Sequence, residues 1–107
     1  MAALRWNKNA ALEQTGGDEE LLDELFALFR SSSAADVEAL AKAVQEVDAH
    51  GVFQAAHSLK GAAASLGIES ICSLATAMEN DARAGSVEKA RMGLGQMKAL
   101  LAQLAGM

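Results

Sequence analysis

Asp18–Val47 reads DEELLDELFALFRSSSAADVEALAKAVQEV, with apolar residues at Leu22, Phe26, Phe29, Val37, Leu40, Val44 and Val47 and with Ser33 in the same series. Steps of four and three residues place the whole series along one stripe of an α-helix, because the helix turns about 100° per residue. Such a stripe is the seam of a helix that packs against other helices. Asp18 suits the N-cap, and Glu19 and Glu20 follow in the first turn, where the helix dipole favours acids. The Ser31-Ser32-Ser33 run competes for backbone hydrogen bonds and is expected to disturb this helix without dividing it.

The same periodicity recurs outward from this segment. A short helix is expected from Asn7 to Thr15, closed by Gly16-Gly17. Asp48 caps a helix running to Gly67, with the stripe Val52, Ala56, Leu59, Ala63 and Leu66. The next carries Ile71, Leu74, Ala75, Met78 and Ala82 and stops at Gly85; Ser86 caps the last, with the seam Val87, Ala90, Leu94, Met97, Leu101 and Leu104. Gly93 and Gly95 each cost that helix up to about 1 kcal/mol relative to alanine and are expected to loosen it. Short connections force neighbouring long helices to run antiparallel. The expectation is an all-α protein: an antiparallel up-down four-helix bundle with a short N-terminal capping helix, forming one domain over residues 1–107.

Composition agrees with this reading. The 107 residues contain no proline and no tyrosine, and alanine, leucine and glutamate abound. The formal charge is −5 with no block of lysine or arginine, which argues against a nucleic-acid partner. Cys72 is alone, so no internal disulfide forms, and it reads as a small apolar helix residue in a reducing compartment. Met1–Trp6 has no apolar run of a secretory signal, and no stretch approaches a membrane span. A cytoplasmic domain without membrane contact is expected, with a monomer as the default.

Within the third long segment stands Ala55-Ala56-His57-Ser58-Leu59-Lys60-Gly61-Ala62-Ala63-Ala64-Ser65-Leu66-Gly67. His57 points about 140° away from the centre of the apolar stripe, which puts its imidazole toward solvent. Lys60 and Gly61 lie one turn along the same face, and Ala64 lies two turns along. The flanking residues Ser58, Ala62 and Ser65 are also small, where an exposed helix face ordinarily carries long polar side chains. A mid-helix glycine costs stability unless something must come close. Together they describe a bare platform bearing one nucleophile and one cation. Imidazole is a competent nucleophile near neutral pH, and a phosphoryl group on it would carry nearly two negative charges that Lys60 is placed to offset. Gly61 removes the side chain that would block a second protein.

His57-Ser-Leu-Lys60-Gly61, with Gly67 closing the helix, resembles the signature of histidine-containing phosphotransfer domains of bacterial multistep phosphorelays and hybrid sensor kinases. The match runs from about Asp48 to Gly85 and includes Met78-Glu79 and Ala82-Arg83-Ala84-Gly85; Gly17–Leu22 and Leu28-Phe29 fit more loosely. The resemblance implies that His57 accepts a phosphoryl group, on Nε2, from a receiver-domain aspartyl phosphate and passes it to another receiver aspartate. Lys60 and Gly61 match the pair beside the histidine. Glu79 falls where histidine domains of chemotaxis kinases place an acid near the imidazole, although a helical glutamate by itself reads as a solvated residue. The implied docking surface is the face around His57, with Gln54, Ser58, Ala64 and Ser65 and with Glu79 from the following helix. The implied partners are response-regulator receivers and a hybrid sensor histidine kinase.

The chain offers no glycine-rich nucleotide loop and no carboxylate cluster suited to Mg²⁺, so the metal is expected from the receiver, with no cofactor and no enzyme active site here. Two rivals are weaker. A di-iron bundle uses Glu-x-x-His pairs, and the residues three before His50 and His57 are Val47 and Gln54. A plain helical adaptor leaves the conjunction of His57, Lys60 and Gly61 unexplained. A complete histidine kinase does not fit in this length.

Overall fold

The computed structural model describes Trp6 and residues 8–105, within which five helices follow one another: α1 Lys8–Gln14, α2 Glu19–Gln45, α3 Ala49–Ser65, α4 Glu69–Arg83 and α5 Glu88–Ala105. Asn7, the expected start of the first helix, lies outside the described residues, as do 1–5 and 106–107 at the ends of the expected domain. Helices α2, α3, α4 and α5 each pack on the next and α5 packs back on α2, closing an antiparallel four-helix ring through the connections 46–48, 66–68 and 84–87. Between the packed faces lie Leu40, Val52, Leu59, Ile68, Ile71, Met78, Met97, Leu100 and Leu104, all essentially inaccessible. Full burial of such side chains contributes about 1.5–3 kcal/mol each, which drives the seams together.

Asp18 and Asp48 cap as expected: their carboxylates accept the amides of Leu21 at 3.1 Å and Gly51 at 3.0 Å. The serine run does not break α2. Ser32 and Ser33 donate their hydroxyls to the carbonyls of Phe29 and Arg30, each at 3.3 Å, so the competition is resolved inside the helix. The N-terminus of α5 is capped from two sources. Ser86 Oγ accepts the Glu88 amide at 3.1 Å, and Asp81 of α4 accepts the Lys89 amide at 2.9 Å, a contribution only the fold supplies.

Val47 does not continue the α2 seam; it is 70% exposed. The helix stops two residues earlier because Asp48 must already be extended to cap α3. Val47 takes φ 53° and donates its amide to Val44 O at 3.1 Å, while the Asp48 amide reaches Ala43 O at 2.8 Å. This is the reversed bonding of a Schellman closure, which elsewhere in the chain Gly67 and Gly85 adopt at φ 71° and 91°. Gly93 is also placed differently from the expectation of a loose spot. It is buried, and a Cβ there would stand 2.8 Å from Met78 Cε and 3.1 Å from Leu74 Cδ1, so the glycine lets α5 lie close on α4. Gly95 is exposed, with open space around it.

Helix α1 covers the end of the bundle where α2 begins and α3 turns into α4, burying Ala11. Trp6 fastens this end. Its ring stands edge-on to Phe26 with centroids 4.6 Å apart, its Nε1 donates to Leu66 O at 2.7 Å, and its backbone forms an antiparallel bridge with Ile68.

Candidate functional site

Helix α3 buries Val52, Ala55, Ala56, Leu59 and Ala63, which turns the His57 face outward. The His57 side chain is 64% exposed. Around it Gln54, Ser58, Gly61, Ala64 and Ser65 are all exposed, and a Cβ on Gly61 would meet nothing within 4 Å. The Ser65 hydroxyl turns back to its own helix, donating to Gly61 O at 3.1 Å. Ser58 donates to Asp36 of α2 at 2.8 Å. The bare platform expected on the Gly61 side is therefore present.

On the other side the site is built, not bare. Glu79 of α4 is buried, its side chain 3% exposed, beneath the imidazole. Its Oε2 lies 2.6 Å from His57 Nδ1 and its Oε1 lies 2.7 Å from Lys60 Nζ. The arrangement corrects two expectations. Glu79 is not part of an exposed docking surface, because α3 and α4 cross closely enough to seal it. Lys60 is not a free ammonium beside the histidine, because it is already paired with that carboxylate.

A carboxylate accepts hydrogen bonds and does not donate them, so His57 Nδ1 carries the proton in this contact. In the neutral ring this tautomer leaves the lone pair on the other nitrogen, Nε2. The hydrogen bond from Lys60, and after it that from His57, hold the Glu79 carboxyl below its ordinary value of 4.5, against burial, which acts the other way. Glu79 is thus the ionised anchor of the site.

Two further residues complete it. Phe53, one turn before His57, stacks on the imidazole with ring centroids 5.9 Å apart and planes 9° from parallel. Arg83, one turn after Glu79, has its guanidinium carbon 5.5 Å from the centre of the Phe53 ring and a nitrogen 3.6 Å from Glu79 Oε1. Sequence reading singled out neither for the site. The signals were the four-residue spacings Phe53–His57 and Glu79–Arg83, which place each pair on one helix face. What brings the two pairs together is the packing of α3 on α4.

Among the described residues no group of three or more His, Cys, Asp or Glu side chains is placed to hold a metal ion, and no helix is long and apolar enough to cross a membrane.

The chain is similar to known proteins in two comparisons. The family model for the Hpt domain matches residues 24–106. The crystal structure of histidine-containing phosphotransfer protein B from Pseudomonas aeruginosa PAO1 superposes with a TM-score of 0.85 at 23% identity, covering 96% of this chain and 90% of that one. The HPT domain of a sensor hybrid histidine kinase from Shewanella does so with a TM-score of 0.78 at 17% identity, covering 94% of this chain and 91% of that one. At these identities the two structures establish a shared fold. No curated protein matches the sequence. Since the family match takes in α3, α4 and α5 with α2 from residue 24 onward, the chain belongs to the Hpt family and serves histidine phosphotransfer in phosphorelay signalling.

Proposed function

We propose that His57 Nε2 is the phosphoacceptor, receiving the phosphoryl group of a receiver-domain aspartyl phosphate and passing it to another receiver aspartate. The observation that carries this reading is an exposed imidazole whose inner nitrogen is held by the buried, ionised Glu79. In the forward step the Nε2 lone pair forms the N–P bond while the P–O bond to the donor aspartate breaks, its electron pair leaving on the carboxylate oxygen. No proton has to move. Positive charge develops in the imidazole and faces Glu79, which stabilises it at Nδ1. The reverse step, to a second aspartate, follows the same path. Lys60 offsets charge on the transferred group, and Gly61 lets the partner's backbone approach.

In-line phosphoryl transfer needs geometry and charge neutralisation more than covalent machinery. On this reading the divalent metal and acceptor carboxylate belong to the receiver, and this domain is a carrier without kinase or phosphatase activity of its own. It works in the cytoplasm as a monomer, docking through the face of Gln54, Ser58, Ala64 and Ser65, with a hybrid sensor kinase as the upstream source.

The test uses a phosphorylated receiver and the conservative variant. His57→Gln is expected to fold as the native protein, by circular dichroism, and to take no acid-labile, alkali-stable phosphate. Labelling of that variant to native levels would overturn the assignment.

A further inference from the structure

Glu79 imposes a requirement on the site that a neutral residue would not. A buried carboxylate needs a compensating positive charge at all times, because an unpaired buried charge is strongly destabilising. In the unphosphorylated protein the compensation falls on Oε1, which Lys60 meets at 2.7 Å and Arg83 approaches to 3.6 Å, while Oε2 is taken by the imidazole. Lys60 makes a charge-assisted hydrogen bond. Arg83 is close enough to attract and too far to bond. Its guanidinium rests instead over Phe53, the ring stacked on His57.

Phosphorylation changes the charge count. Beside one carboxylate, one ammonium and one guanidinium it places a group of about −1.5 to −2 on the nitrogen across the ring from Glu79, with positive charge left in the ring itself. The phosphoryl oxygens therefore lie on the solvent side. The Lys60 ammonium, on a flexible four-carbon stem and 30% exposed, is drawn toward them and away from Oε1. Left alone, that movement would strip Glu79 Oε1 of its bonded cation and leave only the imidazole on Oε2.

We propose that Arg83 is a positioning residue that takes over Glu79 Oε1 when Lys60 turns to the phosphoryl group, so that this buried oxygen is never without a cation. This inference rests on His57 being the acceptor. Arg83 is suited to the task because it sits one turn along α4 from Glu79, on the same face. Closing its gap from 3.6 Å needs only a side-chain movement. Phe53 supplies its resting place until then.

The test phosphorylates the protein with phosphoramidate, which removes the receiver from the measurement. Nε2 forms the N–P bond as the P–N bond of the reagent breaks, its electron pair leaving on ammonia. Arg83→Gln, at an exposed site, is expected to slow phosphorylation about tenfold through loss of one charge-assisted contact, with Arg83→Lys restoring part of the rate. In a Glu79→Gln background the same change is expected to have no further effect, since an amide needs no counter-ion. The Lys60 Nζ and Arg83 Nε resonances are both expected to shift on phosphorylation of the native protein. An equal slowing in the Glu79→Gln background would mean that Arg83 touches the phosphoryl group directly, and would overturn the hand-over. So would native rates in Arg83→Gln, or an Arg83 resonance that does not move. A His57→Gln control separates the two levels. Labelling of that control at the native rate sinks the acceptor assignment itself, whereas an unlabelled control with negative Arg83 results sinks only the hand-over.

Discussion

Gly61 and Glu79 sit at the two sides of His57 and act in opposite ways, one by leaving space and the other by filling it with charge. Because a Cβ at Gly61 meets open space, Gly61→Ala is expected to stabilise the isolated domain by about 0.5–1 kcal/mol, the helix-propensity difference, measured by urea unfolding. Gly61→Glu adds bulk and like charge at the approach path. It is expected to slow transfer from a phosphorylated receiver without destabilising the fold, since glutamate is a better helix former than glycine. Unchanged kinetics would show the glycine to be incidental. For Glu79 the folded-state value is depressed below 4.5, so its contribution to stability is complete above that pH and is lost as the pH falls through the folded value. The Tm difference between the native protein and Glu79→Gln is accordingly expected to be largest near neutrality and to shrink below pH 4.5. A difference that grows on acidification would contradict the ionised anchor.

The helices show how one residue type acquires different meanings along an element. Gly93 and Gly95 stand two residues apart in α5, yet only Gly93 faces α4. Gly93→Leu is expected to cost about 1–3 kcal/mol by overpacking against Met78 and Leu74, and Gly95→Ala to gain about 0.5–1 kcal/mol. Denaturant midpoints of the two variants, moving in opposite directions, check this. Val47 is the converse case, a β-branched residue held at φ 53° where the reversal between α2 and α3 needs a left-handed conformation. Val47→Gly relieves that strain and is expected to stabilise by about 1 kcal/mol, read by the same midpoints. Its apolar side chain fitted the seam by spacing, but the short connection to Asp48 ended the helix first.

Across the whole molecule, the lidded end and the His57 face are separate parts of one bundle. Trp6 ties the lid to α2 through Phe26 and to the α3–α4 turn through Leu66 O. Trp6→Phe keeps most of the apolar contact and loses the hydrogen bond, for an expected cost of about 1 kcal/mol in thermal unfolding, with phosphoryl acceptance unaffected. The five helices, their caps at Asp18 and Asp48, the antiparallel order and the outward aspect of His57 were all legible in the sequence. Each is a local matter, fixed by which residues recur every three or four positions and by how few residues separate one helix from the next. The resemblance already set Glu79 near the imidazole, and it stands there; its burial, the pairing of Lys60, the stacked Phe53 and the poised Arg83 were decided by tertiary structure. They depend on the depth at which α3 and α4 cross, and that depth is set by packing of side chains from both helices, which no periodicity within one segment encodes.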